Sequence, residues 1–128
     1  MHRSIKRLPD SELEIMMIIW AANEPVTSAY VSEKLKDKKE WKITSVLTFL
    51  SRLTEKGFVA CRREGKFNIY SAIVGERDYL ENENKTFLGK LYGNSLTAFV
   101  ASLYRSNSIS GEELAELRKF IDNAAKGD

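Results

Sequence analysis

The apolar pattern of this chain changes character at Gly57. Before it, residues 44–57 carry apolar side chains at a helical period, and glycine suits the position just after a helix end. After it, two runs rich in β-forming residues, 58–63 and 67–71, flank a turn that contains a second glycine. Such a pair of runs predicts a β-hairpin. A helix followed at once by a hairpin leaves few small folds open, and the elements before it decide among them.

Two more amphipathic helices are predicted upstream of this segment. Asn23 and Pro25 end the first, and Thr27 is a good N-cap for the second. Three helices followed by a hairpin are the element order of a winged helix-turn-helix domain, which we assign to residues 1–75. The side chains expected in its core are Leu13, Met16, Met17 and Trp20 on the first helix, Val31 and Leu35 on the second, and Val46, Leu50 and Leu53 on the third.

Residues 76–128 return to helical signals in three segments, and Ser110 with Glu113 has the spacing of a capping box before the last one. Each segment carries an apolar stripe. A lone helical arm would expose these stripes, which soluble monomers rarely do, so we expect a symmetric partner to cover them in a homodimer. The predicted fold class is therefore mainly α with a small β-hairpin, a winged helix-turn-helix N-terminal domain plus a C-terminal helical dimerisation arm. The predicted dimer interface consists of Phe87, Leu88, Leu91, Tyr92, Leu96, Phe99, Val100, Leu103, Leu117, Phe120 and Ile121.

Charge is distributed unevenly between these two parts of the chain. Residues 1–75 contain 13 Lys and Arg against 9 Asp and Glu, a net charge of +4, whereas residues 76–128 contain 7 against 9, a net charge of −2. A basic N-terminal part suits a nucleic-acid-binding domain attached to an arm with another role. Arg3, Lys6 and Arg7 are expected either to add phosphate contacts or to form a solvated tail.

The third predicted helix turns a hydroxyl-rich face away from its core side. Thr44 and Thr48 lie on this face, and Ser45 and Arg52 flank it. Such a face could contact DNA, or it could be an ordinary solvated surface. The hairpin adds three cations near its turn, which we expect to contact phosphates, although charges on an edge strand also protect against aggregation. These cations are Arg62, Arg63 and Lys66.

Composition argues against several function classes. The chain has one cysteine, Cys61, and one histidine, His2, so we expect no internal disulfide, no metal site and no catalytic Cys–His pair. It has no nucleophile elbow and no phosphate-binding glycine loop, so we expect neither an enzyme nor a cofactor. No apolar run approaches the roughly 20 residues that span a membrane, and no signal peptide is recognisable. We therefore expect a cytoplasmic protein without membrane insertion.

Several segments resemble the penicillinase and methicillin-resistance repressors, in order and with matching spacing: residues 8–20, 44–59, 64–66 with Tyr70, and 92–96. The resemblance covers nearly the whole chain. It implies a homodimer on a pseudo-palindromic operator in double-stranded DNA, controlling genes of β-lactam resistance or related functions. The third helix would lie in the major groove, and the hairpin, or wing, would touch the backbone. The DNA-reading positions that the resemblance implies are Lys42, Thr44, Ser45 and Thr48, with Arg52 one turn further along.

The chain departs from the family pattern in its third helix, and this leaves the operator sequence open. The family's Lys-Thr pair is replaced here by Thr44 and Ser45, and its glutamine by Leu47. The Leu47 side chain could pack on a thymine methyl group or lie at the flank of the core.

Two regulatory schemes of the family can be compared with the sequence. Antibiotic-responsive members are cut at an Asn-Phe bond in the dimer arm, which implies a membrane sensor-protease as partner. The aligned bond here joins Ser102 to Leu103, so the candidate site of proteolytic release has a different bond type. Copper-responsive members sense metal through a C-terminal cysteine cluster. Residues 123–128 contain no cysteine, so we reject that scheme.

Two alternatives to an operator-binding repressor stay open on the sequence. A winged helix can serve as a module for protein–protein contacts, because a fold alone does not determine function. Such a module would bind no nucleic acid even at low salt. The chain could also be a small-molecule-responsive regulator with an apolar pocket between head and arm.

Overall fold

The computed structural model describes residues 5–127, which form two compact units, residues 5–83 and 84–127. Helices dominate both units, and the strands of this part of the chain form one small antiparallel sheet. None of the helices described is long and apolar enough to cross a membrane. The elements in chain order are α1 (Asp10–Ala22), β1 (Val26–Thr27), α2 (Ser28–Leu35), α3 (Ile43–Glu55), β2 (Val59–Glu64), β3 (Phe67–Ala72), α4 (Glu76–Tyr92), α5 (Leu96–Arg105) and α6 (Gly111–Lys126).

The core of the first unit lies between α1, α2, α3 and the sheet. α3 contacts both α1 and α2, and the chain passes directly from its end into β2. The core side predicted for α3 is confirmed, since Val46, Leu50 and Leu53 are all buried, and Val31 and Leu35 are buried on α2. The other buried hydrophobic residues are Leu8, Ile15, Met16, Ile19, Val26, Phe58, Val59, Tyr70 and Tyr79.

The core face of α1 differs from the one predicted. Of the four apolar residues expected there, only Met16 is fully buried, and Met17 is exposed. Ile15 and Ile19 form the rest of the buried face. Residues 15–20 are all apolar, so the sequence pattern allows several faces, and packing against α2 and α3 selects one of them.

α1 also buries one carboxylate. The Glu12 side chain is only 2% exposed, and its Oε1 accepts a hydrogen bond from Nζ of Lys56 at 2.5 Å. Lys56 is the C-cap of α3, where a cation also interacts favourably with the helix dipole. This ion pair therefore ties the end of α3 to α1.

The sheet has the strand order β1-β3-β2 with antiparallel pairing throughout. The predicted hairpin is confirmed: β2 and β3 pair from Val59 opposite Ala72 to Glu64 opposite Phe67, and Gly65 turns with φ +61°. β1 was not predicted, because two residues are too few to show an alternating pattern. Its pairing with β3 closes the sheet against the helices.

The first unit continues into the start of α4. Tyr79 is buried, its ring contacts those of Trp20 and Phe58, and its hydroxyl accepts a hydrogen bond from the backbone N–H of Leu8 at 2.9 Å. The sequence placed the domain boundary between residues 75 and 76. The first turns of α4 instead share the core of the first unit, because the Tyr79 ring completes it.

The second unit contains the end of α4 with α5 and α6. Three aromatic rings, those of Phe87, Tyr92 and Phe99, pack together with centroids 5.3–5.8 Å apart. The Oγ of Ser95 caps α5 and that of Ser110 caps α6, each accepting a backbone N–H at 3.1 Å. Neither α5 nor α6 contains a buried residue.

Candidate nucleic-acid interface

The orientation of α3 is set at both of its ends and by its buried face. At the C-terminus, Gly57 adopts φ +80°, its N–H bonds to the carbonyl of Thr54, and the N–H of Phe58 bonds to that of Leu53. This is the Schellman arrangement, which satisfies carbonyls that the helix leaves without partners. With the buried side against α1 and α2, the opposite side of α3 faces solvent.

Two rows of side chains run along the exposed side of α3. The apolar row consists of Ile43 and Leu47, which are 46% and 40% exposed and lie one helical turn apart. The polar row beside it consists of Thr44, Thr48 and Arg52, all exposed and at the same spacing. The structure thus brings three predicted DNA-reading residues onto one face.

The other predicted residues of this helix lie at its margin. Lys42 is the N-cap of α3 and is exposed. Ser45 is half-buried at the flank of the exposed face. Ile43 was not predicted as a site residue, because the sequence pattern placed the helix start at Thr44.

The polar row has a defined hydrogen-bonding state. The Thr48 hydroxyl donates to the backbone carbonyl of Thr44 at 2.9 Å, which leaves its oxygen free to accept. The Arg52 guanidinium lies 5.8 Å from the centroid of the Phe49 ring, which in turn contacts Trp41 edge-on. A cation over an aromatic face is held by the ring quadrupole, so Arg52 is partly positioned before any ligand binds.

The wing does not present its arginines as one patch. In the register of β2 and β3, Arg62 lies opposite Ile69 and Arg63 opposite Asn68, so the two arginines point to opposite faces of the hairpin. Both nitrogens Nε and Nη2 of Arg62 bond to Oε2 of Glu64, at 3.2 and 3.0 Å. Arg63 Nε donates to the carbonyl of Gly65 at 3.3 Å. Lys66 is exposed at the turn itself.

A further group of cations lies in the connection from α2 to α3. Lys36, Lys38 and Lys39 are exposed there and lead into Lys42, with Asp37 and Glu40 among them. The run of lysines was visible in the sequence. Its position at the start of the exposed face of α3 follows only from the packing of α2 against α3.

The basic N-terminus is partly held by the first unit. Arg7 Nε lies 3.1 Å from Oε1 of Glu83, so this arginine is paired. Lys6 is exposed, and Arg3 and His2 lie outside the described residues.

Other chemistry is sparse in the part of the chain that the structure describes. Residues 5–127 contain no group of His, Cys, Asp and Glu side chains that could hold a metal ion. Cys61 is exposed on β2. Its cross-strand neighbour is Tyr70, where burial, and then the nearby thiol, raise the pKa of the phenol above its ordinary value.

The residues predicted for a dimer interface all lie in the second unit. Phe87, Leu91, Leu96, Phe120 and Ile121 are exposed. The remaining six are half-buried, namely Leu88, Tyr92, Phe99, Val100, Leu103 and Leu117.

The bond predicted for proteolytic release lies inside α5. Ser102 and Leu103 are both helical and half-buried, and the Tyr92 hydroxyl is 3.4 Å from the Ser102 hydroxyl. A bond in this position is reached by a protease only when α5 opens locally.

Comparison with known proteins points to one family. The family described as Penicillinase repressor matches residues 8–123. A Penicillinase repressor from Bacillus licheniformis is 30% identical over 120 residues, which cover 94% of this chain and 93% of the relative. The Methicillin resistance regulatory protein MecI from Staphylococcus aureus (strain N315) is 26% identical over 115 residues, or 90% of this chain and 93% of the relative. A solution structure of Bacillus licheniformis BlaI, in its monomeric form in complex with the blaP half-operator, matches 59% of this chain and 90% of that one, at 31% identity and a TM-score of 0.50.

Proposed function

This chain belongs to the penicillinase repressor family, and we propose that it represses transcription as a homodimer bound to a pseudo-palindromic DNA operator. The family, the winged-helix fold and the class of protein, a DNA-binding transcriptional repressor, were all predicted from the sequence and are confirmed. We further propose which residues contact DNA, how the dimer forms and how the protein is released. The protein acts by binding rather than by catalysis, and it meets its operator in the cytoplasm.

The exposed side of α3 is the observation that carries the proposal. An α-helix fits the major groove, and the N-terminal residues of a recognition helix are those that contact base edges. Here Thr44 and Thr48 occupy the first two exposed turns, and the rigid core behind α3 holds them in place. Ser45 contacts the groove from the flank of the same helix. Arg52 reads a base edge or a phosphate one turn beyond Thr48.

Phosphate contacts come from the cations around α3. Lys42 and the lysines that precede it lie at the start of the helix, and Lys66 lies at the wing turn. Of the wing arginines, only one can face the DNA backbone in a given approach, because Arg62 and Arg63 point to opposite sides of the hairpin. Each phosphate contact releases counterions, so binding will weaken steeply as salt is raised.

The second unit, residues 84–127 within the arm predicted at 76–128, makes the homodimer. Its apolar side chains, among them Leu91 and Phe120, are exposed in the single chain and would be covered by the same residues of a second copy. A two-fold dimer carries two α3 helices. The operator half-sites should then lie one helical turn of DNA, or a multiple of it, apart.

Release from DNA is proposed to follow cleavage of the bond between Ser102 and Leu103 by a membrane sensor-protease. The half-buried position of both residues in α5 means that this cleavage needs a partly opened arm. Cutting there would separate the last part of the arm from the DNA-binding unit and weaken the dimer.

The test is a mobility-shift titration of the full-length protein on its own upstream DNA and on a scrambled duplex, at several salt concentrations. We expect selective binding with a dimer-sized complex. Arg52→Ala should weaken operator binding by about 1–3 kcal/mol, or roughly 5- to 150-fold, if the guanidinium reads a base edge. Arg118→Ala, which removes an exposed arginine from α6, is the matched control and should leave affinity unchanged. No DNA preference at low salt would reject the proposal in favour of a protein-contact module.

A further inference from the structure

The side of α3 that is available for DNA carries two large apolar side chains. Ile43 and Leu47 are nearly half exposed, although they lie on a helix whose opposite side packs a complete core. They are one turn apart, within the first two turns of α3. Two large apolar side chains in this position are not needed to fold the first unit.

Of the two hydroxyl groups beside them, that of Thr48 has its proton engaged. The Thr48 proton is already given to the carbonyl of Thr44, so the Thr48 side chain offers an acceptor oxygen and a methyl group. Arg52 follows Ile43 by nine residues, which is about 13 Å along a helix axis. The first two turns of α3 therefore present two large apolar side chains and the acceptor oxygen of Thr48, with the Thr44 hydroxyl still able to donate.

From this surface we infer that Ile43 and Leu47 recognise thymine bases by contact with their 5-methyl groups in the major groove. This inference rests on the proposed function. The 5-methyl of thymine is the apolar group among the base edges of that groove, and the adenine paired with it offers an N6 amino donor. The acceptor oxygen of Thr48 is suited to that donor, and Lys42 at the helix start supplies charge for the adjacent phosphate. Operator half-sites should therefore contain T·A pairs where the first two turns of α3 dock.

Uracil in place of thymine removes only the methyl group, which makes a direct test. The probe is a duplex selected by the full-length protein from a randomised DNA library, and the same duplex synthesised with deoxyuridine for each thymine of the half-sites. Loss of one buried methyl contact should weaken binding about fourfold. Affinity that stays within twofold of the thymine duplex would overturn the inference.

Variants of α3 then test whether Ile43 and Leu47 cause the preference for thymine over uracil. Leu47→Ala, and the double variant with Ile43→Ala, should bind the thymine duplex more weakly and lose the difference between thymine and uracil. Ser51→Ala, the next exposed position along the apolar row, should keep that difference. All three positions are exposed, so circular dichroism should show an unchanged fold. A double variant that still prefers thymine as strongly as the parent chain would assign recognition to other residues and overturn the inference.

The two hypotheses fail in distinguishable ways. If the full-length protein selects no duplex from the library, the proposed function is wrong and the inference falls with it. If it selects a duplex and binds the deoxyuridine form equally well, the repressor function stands and only the thymine contact is wrong.

Discussion

The two units of this chain bury apolar surface to very different extents. The hydrophobic residues that the structure buries all lie between Leu8 and Tyr79, in the first unit. α5 and α6 of the second unit contain none, although both helices are amphipathic and carry large apolar side chains such as Leu96 and Phe120. The first unit is therefore able to fold around its own core. In the second unit, the apolar surface that could form a core is exposed instead.

This difference indicates what each unit does. A unit with a closed core can hold a surface helix rigid, as the DNA contacts that we propose for α3 require. A helical unit with an open apolar face is stable only when another surface covers it, because contiguous exposed apolar patches are rare on soluble monomers. In the homodimer that we propose, a second copy covers this face and joins two DNA-binding units, which would suit a two-fold operator.

The largest expected effect comes from creating a cavity in the core of the first unit. Leu50→Ala removes a fully buried side chain of α3 and should lower the free energy of unfolding by about 2–5 kcal/mol. Leu91→Ala, the matched change at an exposed position of the second unit, should leave the unfolding of the first unit unchanged. Urea denaturation followed by Trp20 and Trp41 fluorescence measures both. Equal losses in the two variants would show that the units share one core.

The next effect tests whether a partner covers the second unit. Phe120→Glu places a carboxylate where the aromatic ring is 69% exposed in the single chain. Loss of one buried aromatic contact should cost the dimer about 1.5–3 kcal/mol, or roughly 10- to 150-fold in its dissociation constant. Sedimentation equilibrium measures this constant. Lys119→Glu, an exposed neighbour outside the predicted interface, is the control. A dimer constant unaffected by Phe120→Glu would exclude α6 from the interface.

A smaller effect is expected at the ion pair that joins α1 to α3. Lys56→Met leaves Glu12 buried without its partner and should destabilise the first unit by about 2 kcal/mol, less than the loss for a fully buried pair because Lys56 keeps part of its side chain in water. Lys36→Met is the matched control, since Lys36 is the C-cap of α2 and forms no ion pair within residues 5–127. Thermal unfolding of both variants gives the comparison. If both lose the same stability, the effect belongs to the helix dipole and not to Glu12.

Sequence patterns predicted the fold where one local signal was sufficient. The helical period of α3, the cap at Thr27 and the two β-prone runs around Gly65 each appear in the structure. The core face of α1 was predicted wrongly because its apolar run is continuous, so only packing distinguishes its sides. β1 was missed because its two residues become a strand only through pairing with Tyr70 and Ile69, more than forty residues away.

The candidate site was predictable to a lesser degree. Thr44, Thr48 and Arg52 follow from the period of α3 and are exposed on one side. Ile43 was not predicted, because the sequence pattern placed the start of the helix one residue later, at Thr44. The opposite directions of Arg62 and Arg63 could have been predicted, since side chains alternate along a strand. Their hydrogen bonds to Glu64 and Gly65 depend on the turn geometry and could not have been predicted from the sequence.

The smallest expected effects come from removing one helix N-cap in each unit. The Oγ1 of Thr27 accepts the N–H of Tyr30 at 3.1 Å, and the Oγ of Ser110 accepts that of Glu113 at the same distance. Thr27→Ala should lower the unfolding free energy of the first unit by about 1 kcal/mol, because α2 is part of its cooperative core. Ser110→Ala breaks an equivalent bond at the start of α6, where no residue is buried. Its effect should be confined to faster amide hydrogen exchange in the first turn of α6, which exchange measured by mass spectrometry resolves by peptide. If Ser110→Ala also speeds exchange in α3, the second unit contributes to the stability of the first, and the contrast between a closed and an open unit is wrong.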